Sequence, residues 1–183
     1  MKENLVILFS GGADSVLLME MARSMGKTPL AVIINYQQLH AEEISKAEKY
    51  CINNNITYQI VELKNYNVKS GLTTGEKGLY EGVAEQNVPA RNSIFISIAY
   101  GLAEANNITE IWFGADWSDR EHLFPDCYQE YIIRMNNILE IAGVRPIKVY
   151  APVLGLTKEH VLSMLKYYGV KDKDIYSGYG EFA

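Results

Sequence analysis

Cysteine is scarce in this chain of 183 residues: there are two, Cys51 and Cys127, far apart and in no C-x-x-C pair. A disulfide framework and a zinc ribbon both need spaced clusters of cysteine, so neither is expected, no zinc is expected, and both thiols read as buried groups in a reducing compartment. Long hydrophobic runs are missing as well. The apolar stretch after Met1-Lys2-Glu3-Asn4 is a handful of residues, too few for a signal-peptide core, and nothing approaches a membrane span. The expected location is the cytoplasm, with no membrane partner. Basic charge is the third shortage: Lys and Arg total 17 against 22 Asp and Glu, for a net charge of −5. That balance disfavours broad binding to nucleic acid and favours small-molecule substrates. No internal repeat or low-complexity segment is present, and the length suits a single domain over 1–183, able to bury roughly 70% of its unfolded surface.

What the chain does have is Ser10-Gly11-Gly12-Ala13-Asp14-Ser15, between the apolar run Leu5-Val6-Ile7-Leu8-Phe9 and the helical pattern Val16-Leu17-Leu18-Met19-Glu20-Met21-Ala22. It reads as a strand, a glycine turn and a helix start. The first N–H groups of a helix lack intrahelical partners and the helix dipole is positive there, so an anion is favoured. Two glycines let the backbone close around a phosphate, and the Ser10 and Ser15 hydroxyls can donate to its oxygens. Asp14 would repel a bare phosphate, which makes it a candidate ligand for an accompanying Mg²⁺. A plain capped turn would also show Gly-Gly after a strand. The Lys of a GxxxxGK[ST] loop is absent, which disfavours an ordinary Walker NTPase.

The remaining pattern alternates strand and helix. Leu30–Ile34 is continuously apolar, as a strand buried on both faces is, and Tyr58–Val61, Glu110–Gly114 and Ile147–Tyr150 supply further strands. Helices are expected over 40–54, 91–106, 128–139 and 157–168. Such alternation implies right-handed crossovers and an α/β three-layer sandwich around a parallel five-stranded sheet, with ligand beyond the carboxyl ends of the strands. Residues 63–89, with Gly71, Gly75, Gly78 and Gly82, are expected to form a flexible flap over the site.

If ligand lies at that end, the strand exits should carry unusual polar residues, and they do. The second strand runs into Tyr36-Gln37-Gln38-Leu39-His40, a helix start carries Val88-Pro89-Ala90-Arg91-Asn92, and the fourth strand exits into Asp116-Trp117-Ser118-Asp119, with Phe124-Pro125-Asp126-Cys127 after it. Arg91 suits a planar carboxylate or phosphate. His40 reads equally as a helix cap. Lys158 sits at a helix start, where a cation disfavours the helix, and so is expected to aim at a phosphate. Asp126 could be an ordinary N-terminal carboxylate, and Trp117 and Phe124 could pack a lid or stack on a base.

The string Ser10–Ser15 resembles the pyrophosphate loop of the PP-loop ATP pyrophosphatases, whose fold is adenine nucleotide alpha hydrolase-like. Within that group the chain is similar to the 7-cyano-7-deazaguanine synthases of queuosine biosynthesis, through Tyr36 with Gln38 and His40, Val88-Pro89 with Arg91-Asn92, Pro125-Asp126-Cys127, and Pro152 with Thr157-Lys158. The family has Gly where this chain has Gln37 and Ala90, Arg where it has Leu39, and often Arg where it has Tyr128. It also ends in a cysteine-rich zinc segment, in place of which this chain has a short tail over 170–183. The aromatic stretch Tyr176–Phe182 is expected to pack on the body or on a partner subunit, which leaves room for a homodimer.

The resemblance implies an ATP- and Mg²⁺-dependent ligase that adenylates a 7-deazaguanine acid and uses ammonia to make the nitrile, releasing AMP and pyrophosphate. It implies Asp14 (also the Mg²⁺ ligand), Arg91 and Lys158 as catalytic. Ser10, Gly11, Gly12, Ala13 and Ser15 would bind phosphate. Tyr36, Gln38, His40, Asn92, Trp117, Asp119, Phe124 and Asp126 would bind substrate. A guanine edge offers two adjacent donors, N1–H and the 2-amino group, which one ionised carboxylate can accept; Asp126 is the candidate. Alternatives are a ligase that stops at the amide or activates another carboxyl compound, a tRNA-modifying enzyme of the same fold, and a nucleotide-binding protein without catalysis.

Overall fold

A computed structural model describes residues 2–39, 42–64, 73, 88–117 and 124–176. His40, Asp119, most of the expected flap at 63–89 and residues 177–183 of the tail lie outside the described residues. The elements are β1 (Leu5–Leu8), α1 (Ala13–Ser24), β2 (Pro29–Asn35), α2 (Glu42–Asn53), β3 (Thr57–Glu62), α3 (Arg91–Asn106), β4 (Glu110–Trp112), α4 (Gln129–Ala142), β5 (Lys148–Tyr150) and α5 (Lys158–Tyr167), then a 3₁₀ turn at Asp172–Asp174.

The five strands form one sheet in the order β3-β2-β1-β4-β5, and every pairing is parallel. Side chains alternate across it. Leu5, Ile7, Ala31, Ile33 and Trp112 pack against α1, α2 and α5, through Val16, Leu17, Ala47, Cys51, Val161 and Leu165. Val6, Val32, Ile34 and Ile111 face the other way, onto Ile96, Ala99 and Ala103 of α3 and Ile132, Met135 and Leu139 of α4. This period of two within the sheet, with helices on both faces, makes three layers. It is the α/β parallel architecture expected from the alternation of apolar runs.

β4 stops at Trp112, two residues short of the expected Gly114. The reason is local: Gly114 passes the start of α1 so closely that a Cβ there would sit 2.9 Å from the Asp14 Cβ. The chain therefore leaves the sheet to make that contact. From β1 the chain moves to β2 on one side, and it returns to β4 on the other, so the strand order switches direction between β1 and β4. The crevice beyond the carboxyl ends at that switch is where ligands bind in such sheets. Among the described residues no helix is long and apolar enough to cross a membrane.

Candidate active site

The Ser10–Ser15 segment sits at the carboxyl end of β1 and turns on itself. Gly11 has φ +79, a backbone that glycine adopts freely, and a Cβ there would meet the Ala47 Cα of α2 at 3.1 Å. The loop is held by its own hydroxyls. Gly11 N–H donates to Ser15 Oγ (3.0 Å), Gly12 N–H donates to Ser10 Oγ (3.2 Å), and Ser15 Oγ–H donates to the Gly12 carbonyl (2.9 Å). Ser15 is buried and Ser10 exposed, so Ser15 shapes the loop from within while Ser10 faces outward. Gly12 is the N-cap of α1 and supplies no side-chain cap, and the first helical bond runs from Val16 N–H to the Gly12 carbonyl. The N–H groups of Ala13, Asp14 and Ser15 lie ahead of that ladder, at the positive end of the dipole. The loop is closed from the far end of the chain by Tyr176 N–H, which donates to the Gly11 carbonyl at 2.9 Å.

Across the crevice stands Lys158, the first residue of α5, whose helix is capped by Thr157 Oγ1 accepting from His160 N–H. Its Nζ lies 2.9 Å from Asp14 Oδ2 and 3.3 Å from Asp116 Oδ2. One ammonium thus joins two carboxylates from different loops. Burial lowers the Lys158 pKa, but the Asp14 carboxylate, through charge and hydrogen bond, and then Asp116 raise it by more, so the group stays an ammonium above its ordinary range. Asp116 is fully buried. It lay in the strand-exit string Asp116–Asp119 without being singled out as a site residue; its burial distinguishes it, and sequence does not report burial. Trp117 follows, 42% exposed, its N–H donating to the Leu156 carbonyl at 2.8 Å and so tying the β4 exit to the α5 entry.

A second group gathers at the ends of β2 and the start of α3. Tyr36 is buried, its ring 5.3 Å from that of Phe95, and Arg91 Nη1 donates to its Oη at 3.4 Å. Burial raises the phenol's pKa against the opposing Arg91 charge, so Tyr36 stays neutral. Gln38 is buried behind it: Oε1 accepts from Tyr36 N–H (3.1 Å) and Nε2 donates to Glu43 Oε2 (3.4 Å). The Gln38 amide therefore fixes the Tyr36 backbone. Asn92 is half-buried in the first turn of α3. Gln37 (φ +62) and Ala90 (φ +56) both hold a left-handed backbone. Phe124 packs partly buried on the α3/α4 side of the core, and Asp126 is half-buried, its Oδ1 3.8 Å from Cys127 Sγ.

The donor set at Asp14 and Asp116 suits Mg²⁺, a hard cation usually held by one or two carboxylates together with substrate phosphates. Two carboxylates converge on the single point that the Lys158 ammonium marks. Among the described residues no group of three or more His, Cys, Asp or Glu forms a metal cage.

Fold and site together define a class: parallel α/β proteins with a glycine loop and a lysine-bridged carboxylate pair at the switch point of the sheet. Solved structures support the fold. The U34-tRNA thiolase NcsA from Methanococcus maripaludis with its [4Fe-4S] cluster superposes with a TM-score of 0.64 at 16% identity, over all of this chain, which spans 61% of the thiolase's length. A predicted subunit of tRNA methyltransferase from Methanocaldococcus jannaschii gives 0.55 at 15% identity, over 95% of this chain and 92% of that one. At such identities these likenesses concern the fold alone.

The family described as "Queuosine biosynthesis protein QueC" matches residues 4–182, and the chain belongs to that family. The 7-cyano-7-deazaguanine synthase of Ralstonia nicotianae is 32% identical over 174 residues, covering 88% of this chain and 77% of the relative. That of Marinobacter nauticus is 30% identical over 171 residues, covering 89% and 77%.

Proposed function

We propose that the protein is an ATP-dependent ligase that converts 7-carboxy-7-deazaguanine and ammonia to 7-cyano-7-deazaguanine. The observation that carries this reading is the pairing of an intact Ser10–Ser15 loop with Lys158 between Asp14 and Asp116, at the switch point of a sheet in a member of this family. A carboxylate and ammonia do not condense in water unless an oxygen becomes a good leaving group. In the proposed reaction the carboxylate oxygen attacks the α-phosphorus of ATP and pyrophosphate leaves. Ammonia then adds to the acyl carbon and AMP leaves, giving the amide. The amide oxygen then attacks the α-phosphorus of a second ATP and a second pyrophosphate leaves, and loss of AMP and of both amide N–H protons gives the nitrile.

The N–H groups at the start of α1 and the Lys158 ammonium take up the charge of the polyphosphate, and the loop geometry orients it. Asp14 and Asp116 would hold Mg²⁺, which when bound supplies further charge neutralisation at the phosphate oxygens. Arg91, steadied by Tyr36, binds the substrate carboxylate or a phosphate. Asp126 accepts the two guanine-edge hydrogen bonds, and Trp117 or Phe124 stacks on the base. Mass spectrometry of a mixture with ATP, Mg²⁺, ammonia and 7-carboxy-7-deazaguanine tests the reading. The expected products are nitrile, AMP and pyrophosphate; accumulation of the amide would shorten the reaction to its first half, and ADP with free phosphate would overturn it. Within this reading, Asp126→Ala weakens the deazaguanine by roughly 1.5–3 kcal/mol while sparing ATP, measured by titration calorimetry.

A further inference from the structure

The segment that follows α5 takes no part in the chemistry above, yet it returns to the glycine loop. The chain leaves α5 through Gly169, whose φ of +77 reverses its direction, and Val170 N–H donates back to the Leu165 carbonyl at 3.0 Å. The 3₁₀ turn at Asp172–Asp174 follows, and Ile175 is then buried in the layer that holds Val16, Leu17, Val161 and Leu165. That anchor sets Tyr176 beside the loop. Its N–H donates to the Gly11 carbonyl at 2.9 Å, and Tyr176 and Gly12 form an isolated parallel bridge. The Lys46 ammonium of α2 lies over the Tyr176 ring, 5.2 Å from its centroid.

The contact falls on a single peptide unit, the one between Gly11 and Gly12. Turning that unit over changes only ψ of Gly11 and φ of Gly12, and glycine does not resist either rotation as a residue with a side chain would. A turned peptide exchanges the directions of its C=O and its N–H. In the observed orientation each end is held separately, the carbonyl by Tyr176 N–H and the Gly12 N–H by Ser10 Oγ at 3.2 Å. The two holds differ in kind. Ser10 is exposed, so an arriving phosphate oxygen can take its place on the Gly12 N–H, whereas the hold on the carbonyl is anchored by buried Ile175 and persists. The tail thereby keeps an N–H, and not a carbonyl oxygen, on the Ser10 side of the loop. An N–H there attracts an anion and a carbonyl oxygen repels it.

We infer that the Tyr176 backbone N–H is a positioning group for the polyphosphate: by holding the Gly11 carbonyl it fixes the Gly11–Gly12 peptide with the Gly12 N–H available to phosphate. The inference rests on the reading of Ser10–Ser15 as the polyphosphate loop. It gives the segment after α5 a share in binding ATP and none in binding the deazaguanine acid.

The donor can be removed with little else. Ile175 has φ −107 and ψ 139, a backbone compatible with a following proline, so Tyr176→Pro deletes the N–H without a clash upstream. Tyr176→Ala deletes the ring and keeps the N–H. Calorimetric titration with MgATP is expected to show Tyr176→Pro binding about tenfold more weakly than Tyr176→Ala, the scale of one hydrogen bond. Their affinities for 7-carboxy-7-deazaguanine are expected to agree. A second measurement needs no variant. Coupling is reciprocal, so a contact that strengthens ATP binding is itself strengthened by ATP, and hydrogen exchange at Tyr176 N–H in the wild type should slow about tenfold at saturating MgATP. Equal ATP affinity in the two variants, or exchange at Tyr176 indifferent to MgATP, would overturn the inference and leave the ATP site standing. Weaker binding of both ligands by Tyr176→Pro, with a lower melting temperature, would also overturn it, because the tail would then only support the fold. A wild type that binds no MgATP would overturn the reading of the loop itself, and the inference with it.

Discussion

The two halves of the candidate site are built on opposite principles. On the side of β1, β4 and α5, glycine stands where no side chain fits: a Cβ on Gly11 would press on α2, and one on Gly114 would press on Asp14 and on the Ser15 nitrogen. On the side of β2 and α3, a left-handed backbone is held at Gln37 and Ala90 by residues that have side chains. An L-residue in that region costs roughly 1–2 kcal/mol relative to its ordinary conformations. The glycine loop is thus limited by contact with neighbouring backbone, which no substitution can relieve. The β2/α3 side is limited only by local strain, which the fold absorbs. By this contrast the loop glycines admit no side chain, whereas the turns at Gln37 and Ala90 carry one at a cost in backbone strain.

The largest expected effect comes from removing charge on the crowded side without altering shape. Asp14→Asn keeps the volume beside Gly114 but replaces an anionic donor with a neutral one, and Lys158 keeps Asp116 as its partner. Under the proposed function, kcat should fall about 10²–10³-fold while the melting temperature stays near that of the wild type. Pyrophosphate release with parallel calorimetry measures both. A normal kcat would mean that the carboxylate pair is structural, and the two halves would then differ in packing alone.

Next comes shape without charge. Gly114→Ala sets a Cβ 2.9 Å from Asp14 Cβ and 3.3 Å from Ser15 N, so β4's exit or α1's start must move. Overpacking of this kind costs roughly 1–3 kcal/mol. Denaturant unfolding is expected to show that loss, and ATP binding is expected to weaken more than binding of the deazaguanine acid, because the displaced atoms belong to the loop. Equal weakening of both ligands would erase the distinction between the halves.

Much of this was legible in the sequence, and the limits are physical. Continuous apolar runs at Leu5–Phe9 and Leu30–Ile34 suit strands buried on both faces, and their alternation with helical patterns pointed to the parallel sheet. Glycines beside a strand end marked the loop. What the sequence concealed depends on distance across the fold. Asp116 is one of several acids near its strand exit, and only its burial against Lys158 sets it apart. Gln38 looked like a ligand group because it is polar at a strand exit, whereas its amide is turned inward between Tyr36 and Glu43. Gly114 reads as a strand residue because Glu110–Gly114 is apolar in pattern, and nothing local announces that a Cβ there would sit 2.9 Å from the Asp14 Cβ of α1. His40 and Asp119 fall outside the described residues.

The smallest expected effect tests the strained half. Ala90 is exposed, caps α3 with φ +56, and contributes no side-chain cap. Glycine adopts that backbone without the steric penalty, but it also loses roughly 0.5–1 kcal/mol more entropy on folding than alanine does. The two terms oppose each other, and the steric one is the larger, so Ala90→Gly should stabilise the protein by roughly 0.5–1 kcal/mol. Gln37→Gly tests the same relief of strain at the second left-handed position. Urea unfolding of both variants checks the sign. Neither change touches the Arg91 to Tyr36 hydrogen bond directly, so relief of strain should leave ligand affinity unchanged. If Ala90→Gly instead lowers affinity for the deazaguanine acid while raising stability, the left-handed turn is helping to aim Arg91, and the strain belongs to the site rather than to the fold.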